Sequence, residues 1–145
     1  MILWCPSAAQ QPGPDWKKWP ETNVVAGIVE HDAGAGTLAG ALSELNGPAQ
    51  KSWHFTIDVD GTIYQHYPLD ASCWHTGKRE FNSRQVGVEH IRAAGASASD
   101  ILPIAGLQLA ASVFLARWIA EQAGWPQGLV RDAAGSARVV QVITG

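Results

Sequence analysis

Apolar and polar residues alternate between residues 52 and 91 in a pattern that predicts a β-hairpin followed by a third strand. With the Asp-Gly pair at 60–61 as a two-residue turn, Phe55 is expected to pair with His66. In this register His54 and His66 point to opposite faces of the hairpin and cannot share one site. A β-bulge would shift one strand by a residue and reverse that conclusion.

Two further runs are predicted to be strands. Val24–Val29 is short and rich in β-branched residues, which is typical of a buried central strand, and it leads to His31 and a glycine-rich loop. Val86–Ile91 alternates, so that Gly87, Glu89 and Ile91 share one face. Both runs therefore bring a polar side chain to a strand end.

Two segments have the apolar spacing of helices. Thr37 is expected to cap a helix over residues 38–45, which the Asn-Gly-Pro sequence at 46–48 ends. Apolar residues repeat at spacings of 3, 4 and 7 over residues 104–119, which predicts a long amphipathic helix ending at Gly124. Together the elements predict a three-layer α/β domain with a central mixed sheet flanked by helices.

The 145 residues are expected to form a single domain, 1–145, with a proline-rich irregular arm over residues 1–21. A net charge of -3 and a pI near 5.9 argue against a nucleic-acid-binding protein. No run approaches the roughly 20 apolar residues of a membrane span. The two cysteines are too few for a disulfide scaffold and are expected to be reduced.

The first residues lack the basic start and long apolar stretch of a signal peptide. This predicts a protein that stays in the cytoplasm of the cell that makes it, or that leaves by a signal-independent route. The seven tryptophans have two interpretations, core packing or a groove that stacks on sugar rings.

A histidine and a carboxylate at the ends of separate strands suit a site that activates water on a metal ion, since one can act as ligand and the other as base. His31 and Glu89 have these positions. Each also has a purely structural interpretation. His31 could be an ordinary loop histidine, and Glu89 could be a sheet carboxylate that faces solvent. His66 and His90 are expected to be structural.

Four motifs follow one another over about residues 22 to 125, and together they resemble the zinc-dependent N-acetylmuramoyl-L-alanine amidases. That family includes phage lysozyme-type amidases and peptidoglycan recognition proteins. The motifs are a strand ending in His, a His-Phe hairpin with a DGT turn, an aromatic-His run and a Gly-hydrophobic-Glu strand. Here they are Val24–His31, His54-Phe55 with Asp60-Gly61-Thr62, Trp74-His75-Thr76-Gly77 and Gly87-Val88-Glu89.

The resemblance implies an amidase-like or peptidoglycan-recognition-like fold, a Zn²⁺ cofactor and bacterial peptidoglycan as partner. It implies that His31 is the first zinc ligand, that Glu89 is the general base and that His75 holds the substrate or the developing oxyanion. The alternative for His75 is a histidine that only hydrogen-bonds the backbone. Positions that would contact substrate are Trp53, His54, Trp74 and Lys78.

The chain departs from the family pattern after the long helix, where the family supplies a second zinc histidine. No histidine follows His90. Asp132, in an Asp-Ala-Ala-Gly sequence, stands for the family's last ligand and is the expected third metal-binding residue. Trp53 stands where some members carry a tyrosine, which removes a hydroxyl from the site.

Three functions are compatible with these residues. The first is a hydrolase that cleaves the amide between N-acetylmuramic acid and L-alanine, with a zinc-activated water and Glu89 as base, acting as a phage endolysin. The second is a non-catalytic peptidoglycan-binding module, or a truncated and metal-deficient amidase domain. The third is a structural or regulatory α/β domain unrelated to cell walls.

Overall fold

A five-stranded mixed sheet organises the chain in a computed structural model that describes residues 1–34, 36–92 and 106–125. A 3₁₀ turn, Asp15–Lys17, precedes the second strand. The strands are β1 (Ala9–Gln10), β2 (Lys18–Thr22), β3 (Gly27–Asp32), β4 (Phe55–Ile57), β5 (Ile63–Gln65), β6 (Ala71–Cys73) and β7 (Gln85–His90). The helices are α1 (Leu38–Asn46), α2 (Arg79–Asn82) and α3 (Gly106–Ala123).

The main sheet has the strand order β1-β5-β4-β7-β3. β7 runs parallel to both β3 and β4, β1 runs parallel to β5, and only the β4–β5 hairpin is antiparallel. β2 and β6 form a separate antiparallel pair with an irregular register. The predicted mixed sheet is therefore confirmed.

The sheet separates two hydrophobic cores. On one face Phe55 and Val88 pack with Leu115 and Ile119 of α3. The other core contains the following residues, which join α1 to the β6 region: Ala41, Leu45, Trp53, Tyr67, Ala71, Cys73 and Ile91. Because successive side chains of a strand alternate, Glu89 points away from α3 and towards the α1 side. Helices on both faces give the predicted three layers.

The register of the β4–β5 hairpin differs from the prediction. Phe55 pairs with Gln65 instead of His66. A three-residue loop joins the strands, because the Asp58 N–H donates to the Thr62 carbonyl and Gly61 adopts a φ of 86°. This conformation, a turn followed by a left-handed glycine, removes one residue from the expected pairing. The prediction that His54 and His66 face opposite ways is therefore wrong.

The N-terminal arm is also more ordered than the prediction of an irregular segment. β1 extends the edge of the main sheet beside β5, and β2 pairs with β6. The buried amide of Gln65 holds the arm, since its Oε1 accepts from the Cys5 N–H at 2.7 Å and its Nε2 donates to the Leu3 carbonyl at 2.9 Å. Gln65 lies about 60 residues from Leu3 and Cys5 in the sequence, so no hydrophobic periodicity of the chain predicts these hydrogen bonds.

The remaining elements lie close to their predicted bounds. β3 begins at Gly27 and ends at Asp32, later than the predicted run. The Thr37 hydroxyl caps α1 by accepting from the Gly40 N–H at 3.1 Å, as predicted. Gly124 ends α3 with a φ of 69°, and the predicted start of that helix lies outside the described residues.

Two other expectations can be compared with the structure. Within the described ranges, no helix has the length and apolar character needed to cross a bilayer. Cys5 and Cys73 are both buried and unpaired, as expected, and burial raises the pKa of each thiol.

Replacing Gln65 by leucine should lower the free energy of unfolding by about 2–4 kcal/mol, since the substitution leaves the Cys5 N–H and the Leu3 carbonyl without their partner. Urea denaturation followed by tryptophan fluorescence measures this. Gln10→Leu makes the same change at an exposed position and is the matched control. Equal stability of the two variants would show that the Gln65 amide does not hold the arm.

Candidate active site

A cleft with a volume of about 330 Å³ opens on the sheet face opposite α3. The end of β3, helix α1, the segment before β4, the loop after β6 and β7 all contribute to it. Its lining includes Asp32, Glu44, Lys51, Trp53, Trp74, His75 and Glu89. Charged groups and two indoles therefore share one concave surface, which is the usual character of a site for a polar ligand.

His31 and Glu89 lie side by side because β3 and β7 are parallel neighbours in register. His31 is the pairing partner of Glu89. Directly paired residues of adjacent strands point to the same face, so both side chains point to the α1 side of the sheet. The register of β3 against β7 therefore places His31 next to Glu89.

Glu89 is a mostly buried carboxylate at the floor of the cleft. Its Oε2 is buried and has no hydrogen-bond partner among the described residues. Burial, and then the nearby charges of Glu44 and Asp32, raise the pKa of Glu89 to about 7. A carboxyl group with this pKa can both accept and donate a proton near neutral pH.

His75 lies against β7 because Gly87 has no side chain. A Cβ at Gly87 would be only 2.7 Å from Cγ of the His75 ring. The loop that carries His75 is fixed by the buried side chain of Asn82 on α2, whose Oδ1 accepts from the backbone N–H groups of His75 and Thr76 at 3.1 and 2.9 Å. The ring of His75 then reaches His31, with 3.1 Å between His31 Nε2 and His75 Nδ1.

Both ring nitrogens of His75 lie close to protein groups. Its Nε2 lies 3.4 Å from the Gln85 carbonyl, and its Nδ1 faces His31. Burial, with the nearby His54 and His31, lowers the pKa of His75 to about 3, so the ring is neutral. A neutral imidazole with its proton on Nε2 has no N–H left for the cleft. The role of His75 in holding substrate or the developing oxyanion stays a prediction.

His54 lies behind His75 and does not reach the cleft. It is fully buried, its Nε2 donates to the Ala71 carbonyl at 2.8 Å, and its Nδ1 accepts from the Gly87 N–H at 3.0 Å. The expectation that His54 contacts substrate is therefore wrong, since both ring nitrogens bind the backbone. Burial lowers the pKa of His54 to about 4, so this support stays neutral.

Trp53 and Trp74 do line the cleft, whereas Lys78 does not. The Trp53 indole donates to the Thr56 hydroxyl at 2.8 Å. Trp74 stacks on Trp19 at a centroid distance of 4.1 Å. Lys78 lies beside a separate shallow depression next to Arg79, because α2 begins there and carries the side chain away from the cleft.

Sequence reasoning did not find Trp19, Glu44 and Lys51. Lys51 forms an ion pair with Glu44 at 2.6 Å beside the cleft, and Trp19 supports the wall from β2. The spacing of Glu44 on the amphipathic helix α1 was the one available signal. The others reach the site through tertiary contacts alone.

The described residues do not provide a complete ligand set for zinc. Across 1–34, 36–92 and 106–125, no three side chains of the His, Cys, Asp and Glu types are grouped so that they could hold a metal ion. His31 is one donor of the type zinc prefers. Asp132, the expected third ligand, lies outside the described residues, and its role stays a prediction.

Comparison with known proteins decides the family. The pattern of the family described as N-acetylmuramoyl-L-alanine amidase matches residues 21–140. The chain belongs to this amidase family. Its sequence is similar to the N-acetylmuramoyl-L-alanine amidase CwlH of Bacillus subtilis (strain 168), with 43% identity over 64 residues that cover 38% of this chain and 25% of CwlH.

Solved structures show the same fold. The catalytic domain of XlyA, a protein of Bacillus subtilis (strain 168), superposes with a TM-score of 0.64 at 24% identity, over 82% of this amidase-family chain and 78% of that domain. A Drosophila peptidoglycan recognition protein, PGRP-SA, gives a TM-score of 0.60 at 18% identity, over 85% and 77% of the two chains. The predicted amidase-like or peptidoglycan-recognition-like fold is confirmed.

This amidase-family chain spans only part of its curated relatives. It matches 25% of the length of CwlH and 19% of the length of XlyA.

Replacing Gly87 by alanine should displace the His75 ring, because the new Cβ would lie 2.7–3.0 Å from three ring atoms. We expect a loss of about 1–3 kcal/mol in the free energy of unfolding and changed imidazole NMR signals of His75. Gly106→Ala is the matched control, since a Cβ there has no neighbour within 4 Å in the described part of the chain. Unchanged signals in the Gly87 variant would contradict the packing described.

The buried carboxyl group of Glu89 should make stability depend on pH. Its pKa rises from 4.5 to about 7 on folding, so the folded protein takes up a proton that the unfolded chain does not. The stabilisation that this proton uptake gives to the folded protein is fully present below pH 4.5 and is lost as the pH rises through 7. Relative to Glu89→Gln, the wild type should gain about 1–3 kcal/mol between about pH 8 and pH 4.5.

Chemical denaturation of both proteins in chelator across this pH range measures the difference. The neutral buried histidines His54 and His66 titrate in the opposite direction, but they are present in both proteins and cancel. A difference that does not change with pH would show that the Glu89 pKa is not raised.

Proposed function

We propose that this chain hydrolyses the amide bond between the lactyl group of N-acetylmuramic acid and L-alanine in bacterial peptidoglycan. The observation that carries the proposal is the mostly buried Glu89 carboxyl group in the lining of the cleft, on β7 directly opposite His31 of β3. Membership of the amidase family supports the choice of bond.

In this proposal Glu89 moves the protons of the reaction. Its carboxylate, which lines the cleft, orients a water molecule there and takes a proton from it as the water attacks the amide carbonyl. The same group then donates that proton to the leaving amine of L-alanine. A pKa of about 7 allows both steps near neutral pH.

The walls of the cleft suit an amino sugar joined to a peptide. The half-buried Trp74 provides apolar indole surface against which a sugar ring can pack, while the buried Trp53 supports the cleft wall from below. Lys51, held by its ion pair with Glu44, places a positive charge where carboxylates of the stem peptide could bind.

The family resemblance also suggests that the hydrolysis depends on zinc, with His31 as the first ligand. The described residues do not complete a zinc ligand set, so the proton transfers are assigned to Glu89 alone. Release as a phage endolysin also stays a prediction.

A second candidate function is recognition of peptidoglycan without cleavage. The lack of three grouped ligands in the described part of the chain favours it. The cleft and its two indoles would then bind the glycan and peptide while the amide stays intact.

The test is incubation of the purified protein with peptidoglycan sacculi, with and without added Zn²⁺. We expect new L-alanine amino termini without new reducing sugar ends. Glu89→Gln should reduce the rate by about 10²–10⁴-fold, because it removes the proton-transfer group, while it still sediments with sacculi. Glu80→Gln makes the same change at an exposed residue outside the cleft and should match wild type.

Wild-type protein that sediments with sacculi but releases no L-alanine termini, even with Zn²⁺, would replace the hydrolase by the binding module. Protein that neither binds nor cleaves would contradict both functions.

A further inference from the structure

One tryptophan of the N-terminal arm is exposed close to the cleft. All seven tryptophans of the sequence lie within the described ranges, and among them Trp16 alone is more than half exposed, at 56%. A single apolar side chain at the surface needs no explanation by itself. Trp16 differs from such a residue because the protein fixes its indole and holds it beside groups that line the cleft.

A buried lysine supports the indole of Trp16. Trp16 is the middle residue of the 3₁₀ turn Asp15–Lys17, and Lys17 is only 1% exposed. The Lys17 Nζ lies over the indole at 5.2 Å from the ring centroid, and it donates to the Glu44 carbonyl at 3.2 Å. The cation–π contact restrains the indole on one face, and the exposure of the residue leaves the other face available to a ligand.

Hydrogen bonds connect this turn of the arm to the wall of the cleft. The Ser52 hydroxyl donates to the Lys17 carbonyl at 2.5 Å and accepts from the Trp74 N–H at 2.8 Å. Trp74 lines the cleft, and so does Glu44, whose carbonyl accepts from the Lys17 amine. Lys17 therefore touches the cleft wall at two points, and its neighbour Trp16 lies at the rim.

Ring stacking also fixes the next part of the arm against the cleft wall. Trp19 of β2 stacks on Trp74 with ring centroids 4.1 Å apart and an angle of 5° between the ring planes. The Arg79 guanidinium lies over the Trp19 indole at 4.9 Å from the ring centroid, and its Nε donates to Glu21 of the same strand at 3.2 Å. The arm cannot leave the rim without breaking these contacts.

The size and chemistry of this surface favour a sugar ring as its ligand. A flat indole offers an apolar face to the C–H face of a sugar, and an aromatic side chain buries about 150–250 Å². A stable contact between two copies of the chain needs roughly 600 Å² or more from each partner, which one indole does not supply. A glycan strand that is held at Trp74 must continue across the rim of the cleft, where Trp16 lies.

We propose that Trp16 is a second sugar platform, which binds a ring of the glycan strand next to the N-acetylmuramic acid held at Trp74. This inference rests on the proposed function, because a neighbouring sugar reaches the rim only when the cleft holds a glycan. The N-terminal arm then positions the strand, and the protein binds several linked sugars more tightly than a single N-acetylmuramic acid.

Binding of two peptidoglycan fragments of different length tests the proposal. The short probe is a single N-acetylmuramic acid with its stem peptide, and the long probe is a tetrasaccharide with the same peptides. Calorimetric titration uses the Glu89→Gln protein, so that the probes stay intact. Adding Trp16→Ala should weaken binding of the long probe by about two- to tenfold and leave the affinity for the short probe unchanged. Adding Trp16→Phe should retain most of the affinity.

The matched control is Phe81→Ala in the same Glu89→Gln protein. Phe81 is also an exposed aromatic residue beside a lysine amine, with Lys78 Nζ 5.8 Å from its ring centroid. It is on α2 and does not line the cleft. Its replacement should therefore change the affinity for neither probe.

NMR signals of the indole N–H groups test the contact without relying on the fold of an alanine variant. In the Glu89→Gln protein, the long probe should shift the signals of both Trp16 and Trp74, whereas the short probe should shift that of Trp74 alone. Trp118 packs in the core on the α3 side of the sheet, and its signal should respond to neither probe.

Three outcomes would overturn the proposal. They are unchanged affinity of the Trp16→Ala protein for the long probe, equal weakening of both probes, and a Trp16 signal that does not respond to the long probe. If wild-type protein still releases L-alanine termini from sacculi, the proposed function stands and only the second platform fails. Protein that binds neither probe and cleaves no sacculi would contradict the proposed function as well.

Discussion

The parallel pairing of β3 with β7 is the constraint on which the site depends. It places His31 beside Glu89 with both side chains on the face away from α3. A shift of one residue in either strand would turn one of these side chains into the α3 core. The packing of Val86 and Val88 against α3 therefore also determines where the cleft chemistry lies.

The absence of a side chain at Gly87 extends this constraint to a third group. The strand surface left open there accepts the ring of His75, and the backbone N–H of Gly87 bonds to His54 directly behind it. His54 in turn bonds to the Ala71 carbonyl of β6. Each buried imidazole thus finds a partner in the backbone, which is the condition under which polar groups are tolerated in a core.

Burial gives the site an unusual charge state. It lowers the pKa of His75 and raises that of Glu89, so desolvation favours the neutral form of both groups. A carboxyl group with a pKa near 7 exchanges protons readily near neutral pH. The same low polarity that disfavours charge in this cleft therefore suits Glu89 to proton transfer.

Local sequence determined those features that depend on nearby residues. The cap at Thr37, the glycine that ends α3, the alternation that puts Glu89 on one face of β7 and the motifs that indicated an amidase-like fold all follow from short spacings. Tertiary structure alone decided the hairpin register, the ordering of the arm by Gln65 and the burial of His54. It also decided the approach of His75 to His31, because these features depend on contacts between residues tens of positions apart, which no local periodicity records.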